Sequence, residues 1–232
     1  MIKAVVFDLD DTLISERKYI ESGYLHISKV LCDKYHLFEN ELYQLLIDLF
    51  NESPKYVFNR LLDRFGIIYT HRDIQQLIEE YRNHIPSIEF YNDVLPNLEV
   101  LKQEKIKIGI ITDGYANAQR QKLNALKAHC YFDEIIVTDE LGREYWKPHP
   151  RSFEIIKSKL NVDYNEMIYI GDNPEKDFYI SSIYPIKTIR INRCGFYSDR
   201  SYFRDIRESQ SIISLNDLKT MVEKFDNVKC TK

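Results

Sequence analysis

Ile2-Lys3-Ala4-Val5-Val6-Phe7-Asp8-Leu9-Asp10-Asp11-Thr12 is the stretch on which the fold turns. From Ile2 to Phe7 it is apolar and rich in β-branched residues, and it breaks off on acids. Such a run predicts a short buried strand with carboxylates at its C-terminal end. Residues two apart on an extended chain face the same way, so Asp8 and Asp10 are expected to aim at one point.

Downstream the period becomes helical. Ile20, Tyr24, Ile27, Leu31 and Tyr35 recur at helical spacing, as do Leu42, Leu45, Leu46 and Leu49. A third stripe, Val57, Phe58, Leu61, Leu62 and Phe65, is expected to open on Ser53-Pro54 and close on Gly66. A fourth, Ile74, Leu77, Ile78, Tyr81 and Ile85, ends at Pro86. Four amphipathic helices with no strand between them predict a small bundle, its aromatic residues in the core.

From about residue 97 the pattern alternates. Helices are predicted over 97–104, 116–127, 153–160 and 215–225, and strands over 106–111, 134–137, 167–170 and 186–191, with a short apolar pair at Ile212-Ile213. Strands alternating with helices imply parallel pairing and right-handed crossovers, hence an open α/β sheet. The helical block interrupts that sheet after its first strand.

Composition narrows the function. Of 232 residues, 44% are hydrophobic and 29% charged, enough apolar material for a sizeable core. A net charge of −4 gives no global reason to expect nucleic-acid binding. No apolar run approaches the roughly 20 residues that cross a bilayer, and acids interrupt the first apolar run too early for a secretory signal. Cys32, Cys130, Cys194 and Cys230 stand singly, without CxxC spacing. Reduced thiols in a cytoplasmic protein are the expectation.

In an open parallel sheet, ligands bind at the carboxyl ends of the strands. Three predicted strands end there in polar residues: Asp8 and Asp10, then Thr112-Asp113, then Gly171-Asp172. Carboxylates converging on one spot repel unless a cation lies between them, and oxygen-only ligation suits Mg²⁺. A carboxylate beside such a metal can also attack a phosphoryl group.

Four motifs carry a family resemblance. Phe7-Asp8-Leu9-Asp10-Asp11-Thr12-Leu13 resembles the DxDxT motif of the haloacid dehalogenase superfamily, and Ile110-Ile111-Thr112-Asp113-Gly114 its second motif. Lys147-Pro148-His149-Pro150 resembles the third, and Gly171-Asp172-Asn173 with Asp177 the fourth. The resemblance implies a Rossmann-like α/β core over 1–15 and 90–232 and an α-helical cap over 16–89 that closes over the site and shapes it. It implies Asp8 as nucleophile and Asp10 as general acid and base. Thr112, Asp113 (through its backbone N–H) and Lys147 would bind phosphate. Mg²⁺ would be held by Asp8, the main-chain carbonyl of Asp10, and Asp172, with Thr12, Gly171 and Asp177 in support.

Dehalogenases of this superfamily lack the second acid of the first motif, because halide leaves without a proton. Asp10 therefore favours a phosphatase acting on a small sugar, polyol or nucleotide phosphate, as a monomer or homodimer. A phosphomutase and a non-catalytic binding module of the same fold are the alternatives. Two departures stand out: the Arg143-Glu144-Tyr145-Trp146 insertion before Lys147, and His149 where Asp is common. Taken singly, Thr112 and Asp177 are equally helix caps, Lys147 a solvated lysine and His149 a loop residue. Arg17 and Lys18 either meet an anionic substrate group or lie on a solvated helix face.

Overall fold

The computed structural model describes residues 1–193, 195 and 199–227. Cys194 and Cys230 lie outside the described residues, whereas Cys32 and Cys130 are free thiols. The chain divides into two compact units, one formed by Met1–Glu16 and Glu89–Lys232, the other by Arg17–Ile88.

The first unit is built on strand β1, Ala4–Phe7, in which every residue is buried. Its four apolar side chains each contribute the transfer energy of full burial, roughly 1.5–3 kcal/mol for a Val or Phe. Helix α1, Glu16–Tyr35, follows β1 and leads into α2, Glu39–Glu52, α3, Val57–Arg64, and α4, His71–Asn83, which form the second unit. The chain then returns to the first unit with α5, Val94–Gln103, and β2, Lys107–Thr112. It continues through α6, Ala116–Ala125, β3, Glu134–Val137, and α7, Arg151–Leu160. Strand β4, Met167–Gly171, β5, Lys187–Ile191, β6, Gln210–Ile212, and helix α8, Leu218–Asn227, complete it.

The six strands run parallel in the order β3-β2-β1-β4-β5-β6. That is a Rossmann-like α/β sheet, with the strand order reversing beside β1. Val5 pairs with Ile108 on one side and Ile168 on the other, so β1, β2 and β4 end side by side. The residues after those three strands are therefore neighbours although more than a hundred positions separate β1 from the other two in sequence.

In the helical unit the predicted stripes are the core: Ile27, Leu31, Leu42, Leu46, Leu61 and Leu62 are buried. Tyr24 packs edge-on against Phe50 and Phe58, with ring centroids 5.9 and 6.2 Å away. Several boundaries differ from the sequence reading. Ser53 does not open α3; it ends α2, its N–H donating to Leu49 O, and α3 begins instead after Tyr56 in the left-handed region at φ 54°. The Arg60 guanidinium donates to the Leu49 and Ser53 carbonyls at the end of α2. The fourth stripe stops at Asn83, and Ile85 is 83% exposed, because the chain is already extended at His84. In the other unit, α5 starts at Val94 rather than at 97; Pro96 is tolerated in the first turn, where its missing N–H has no partner to lose. After Asp177 there is only a single 3₁₀ turn, Tyr179–Ser182, so Asp177 caps no α-helix.

Candidate active site

At the end of β1 the Asp8 N–H donates to Ile170 O of β4, which fixes the carboxylate beside the end of that strand. Its Oδ1 accepts from Lys147 Nζ at 2.6 Å. The same ammonium donates to Asp177 Oδ1 and to the Tyr169 hydroxyl, each at 2.7 Å, and that hydroxyl donates to Asp177 Oδ1 at 3.0 Å. Lys147 and Asp177 side chains are both fully buried, so each charge needs these partners. Burial alone would lower Lys147; the Asp177 and Asp8 carboxylates outweigh it and hold the ammonium above its ordinary range. Burial would raise Asp177, but Lys147 and Lys176 beside it and the Lys147 and Asn173 hydrogen bonds keep it low.

Asp8, Asp172 and Asp177 each offer a carboxylate oxygen within 4.8 Å of the others, all three buried. Burial, followed by the charges of Asp8 and Asp177, pushes Asp172 up to about 9. Asp8 is pushed up to about 6, burial outweighing the pull of Lys147. A cation among them would restore their ionisation, and an all-oxygen donor set is the chemistry of a hard divalent ion. Gly171 is required here: a Cβ on it would collide with the Asp177 carboxylate.

Asp10 lies elsewhere than strand alternation predicts. The strand stops at Phe7, and the chain turns over the Leu9 carbonyl, which accepts from Thr12, Leu13 and Ile14 N–H. The Asp10 side chain leaves that turn towards α6, where Lys122 Nζ donates to Oδ1 at 2.7 Å and Oδ2 at 2.8 Å, and Gln119 Nε2 to Oδ2 at 2.9 Å. The Gln119 amide also donates to Thr112 Oγ1, so the hydroxyl at the end of β2 and the Asp10 carboxylate share one donor. Glu16 lies close enough that burial, then the Asp10 charge, pushes its carboxyl up to about 7.

The carboxylate of Asp113 serves the scaffold: Oδ1 accepts from the Thr138 hydroxyl at 2.7 Å and Lys147 N at 3.2 Å, and Oδ2 pairs with Lys176 at 3.5 Å. Thr12 is fully buried, its carbonyl accepting from Arg193 Nε at 2.9 Å. His149 Nδ1 accepts from Arg151 N at 3.1 Å in the first turn of α7, a loop role. In the insertion, Arg143 lies 4.6 Å over the Tyr115 ring and Trp146 Nε1 donates to Asp139. Arg17 belongs to the helical unit, bonded to Glu21 and Asn51.

Sequence reasoning missed Tyr169, Lys176, Gln119, Lys122 and Glu16. For Tyr169 a signal existed, since a tyrosine inside a buried strand needs a partner for its hydroxyl. Gln119 and Lys122 share a helix face by their spacing, but helical polar pairs usually face solvent, and nothing local marks this one as buried.

The family model for haloacid dehalogenase-like hydrolases matches residues 5–191. A glyceraldehyde 3-phosphate phosphatase of Methanopyrus kandleri is 32% identical, over 86% of this chain and 87% of that protein. A second, from Methanocaldococcus jannaschii, is 28% identical over 99% of each. The crystal structure of a HAD phosphatase from Thermococcus onnurineus superposes with a TM-score of 0.62 at 26% identity, covering 95% of this chain and 98% of that one. With three motifs at the ends of neighbouring strands, the Lys147 motif in the loop before α7, and a family-model match over most of its length, the chain belongs to the haloacid dehalogenase-like hydrolase family.

Proposed function

We propose that the protein is a Mg²⁺-dependent phosphatase that hydrolyses a small phosphate monoester of the glyceraldehyde 3-phosphate kind, through an aspartyl-phosphate on Asp8. One observation carries the reading: a buried carboxylate at the end of β1, paired to Lys147, lies beside two further buried carboxylates, together an all-oxygen donor set for a hard cation. The names of the two glyceraldehyde 3-phosphate phosphatases supply the substrate class. The inserted unit, residues 17–88, is on this reading the family's α-helical cap.

In the first half-reaction a carboxylate oxygen of Asp8 bonds to phosphorus as the ester P–O bond breaks. Asp10 gives its proton to the departing oxygen, which leaves as an alcohol. In the second, water attacks phosphorus, the Asp8–phosphorus bond breaks, and Asp10 takes the water's proton, which regenerates both groups. Thr112 Oγ1, backbone N–H groups after it and Lys147 bind the phosphoryl oxygens, where charge accumulates. Tyr169 and Asp177 aim the Lys147 ammonium. Asp8, Asp172 and the Asp10 carbonyl, with Asp177 in support, would hold Mg²⁺, which supplies charge neutralisation at the phosphoryl group.

The test is phosphate release from a panel of triose, polyol and sugar phosphates and nucleoside monophosphates, with Mg²⁺ and with chelator. Turnover of at least one ester is expected, lost on chelation and reduced at least a thousandfold (on the order of 10³) in Asp8→Asn. No phosphate from any ester, or Asp8→Asn matching wild type, overturns the reading.

A further inference from the structure

The sequence motifs leave two buried polar side chains of the site without a role: Gln119 and Lys122, 1% and 3% exposed. They lie three residues apart on α6 and so share one face. A buried ammonium or amide is costly unless it is bonded. Both are bonded to one acceptor, the Asp10 carboxylate, and Gln119 also reaches the Thr112 hydroxyl. An amide nitrogen has two hydrogens and can serve both acceptors. The chain makes room for this at Gly114, whose φ of +132° disfavours any side chain and whose Cβ would lie 3.1 Å from Gln119 Cδ.

We propose that Lys122 and Gln119 are positioning residues for Asp10, holding the acid/base carboxylate on the same bracket as the phosphate-binding hydroxyl of Thr112. The inference rests on the phosphatase reading above. Asp10 sits on a turn, not in the strand, and its side chain is 16% exposed, so backbone geometry alone leaves its rotamer open. General acid catalysis needs the proton within hydrogen-bond reach of the leaving oxygen. The bracket acts on energy as well as on position. As Asp10 gives its proton to the leaving oxygen it becomes a carboxylate, and its bonds to the ammonium and amide strengthen. An interaction that grows as the reaction proceeds lowers the barrier, whereas one of constant strength does not.

That predicts a dependence on the leaving group which a purely structural role would lack. The alkoxide of glycerol 3-phosphate needs a proton to leave; p-nitrophenolate does not. Because kcat/KM reports the steps up to phosphorylation of Asp8, it isolates the half-reaction in which Asp10 is the acid. In Lys122→Met, kcat/KM is expected to fall about thirtyfold for glycerol 3-phosphate and less than about threefold for p-nitrophenyl phosphate. Lys122→Arg, which keeps the charge, is expected to recover most of the loss. Gln119→Leu should show the same split at smaller size, and it carries the test together with Lys122→Arg if circular dichroism finds Lys122→Met unfolded. Equal losses on the two esters, or no loss on either, overturns the proposal. The parent reading fails separately, through wild-type inactivity on both esters or an active Asp8→Asn.

Discussion

At the scale of single residues, the site is a problem in placing charge. Lys147 is surrounded by Asp8, Asp177 and the Tyr169 hydroxyl, one acceptor for each ammonium hydrogen, so removing any of them leaves a buried donor unsatisfied. Tyr169→Phe keeps the ring that packs edge-on to Phe153 but deletes the hydroxyl. It is expected to cost about 1–3 kcal/mol in denaturant unfolding, the penalty for a buried partner left unsatisfied. The carboxylate group at the strand ends makes the opposite demand, for an added cation. Millimolar Mg²⁺ is expected to raise the melting temperature of wild type, as any ligand of the native state does. Asp172→Asn should abolish that rise, and a rise unchanged in the variant would remove Asp172 from the ligand set.

At the scale of elements, the core unit is tied together by acids that do not act at the site. Asp93, just before α5, accepts from Arg193 at 2.8 Å, from the Ser214 hydroxyl at 2.8 Å and from Leu215 N at 2.9 Å. Arg193 also donates to Thr12 O, so one arginine links the turn after β1 to the approach to α8. Burial alone would raise the Asp93 carboxyl, but the hydrogen bonds from Arg193, Leu215 and Ser214 and the arginine's charge outweigh it and hold it low. A carboxyl with a depressed folded pKa contributes stability above its unfolded value, near 4, and that stability is lost as pH falls through the folded value. Asp93→Asn is therefore expected to lower stability at pH 7 by about 1.5–3 kcal/mol. The gap from wild type should close as the pH is taken down towards 3; a gap independent of pH would contradict the linkage. In the helical unit, α4 opens on a capping box, Thr70 accepting from Asp73 N and Asp73 from Thr70 N. Thr70→Ala is expected to cost about 1 kcal/mol in thermal unfolding.

At the scale of the molecule, each unit has its own hydrophobic core, and the protein's single tryptophan, Trp146, lies in the α/β unit. That divides the spectroscopic signals: Trp fluorescence follows the sheet, while far-ultraviolet circular dichroism is weighted by the helices of the other unit. Leu46 is fully buried in the helical core. Leu46→Ala should destabilise that unit by about 2–5 kcal/mol, as cavity-forming substitutions do. The dichroism transition is expected to move to lower temperature while the fluorescence transition stays in place. Coincident shifts would show that the two cores unfold as one.

Local pattern by itself determined most of the fold. Apolar period marked β1, the helical stripes and the alternation after residue 97, because burial on one face or two leaves its trace in adjacent residues. Element ends were less legible: Ser53 ends one helix rather than opening the next, and Ile85 is exposed. Both were decided by backbone conformation that hydropathy does not report. The motif residues Asp8, Thr112, Lys147, Asp172 and Asp177 were visible in the sequence, but Tyr169, Gln119 and Lys122 beside them were not. Tertiary structure alone brought Tyr169 to Lys147 and turned the Asp10 carboxylate to Lys122 and Gln119. Those contacts join groups up to 112 positions apart, and tertiary packing, not any local sequence preference, sets which of them meet.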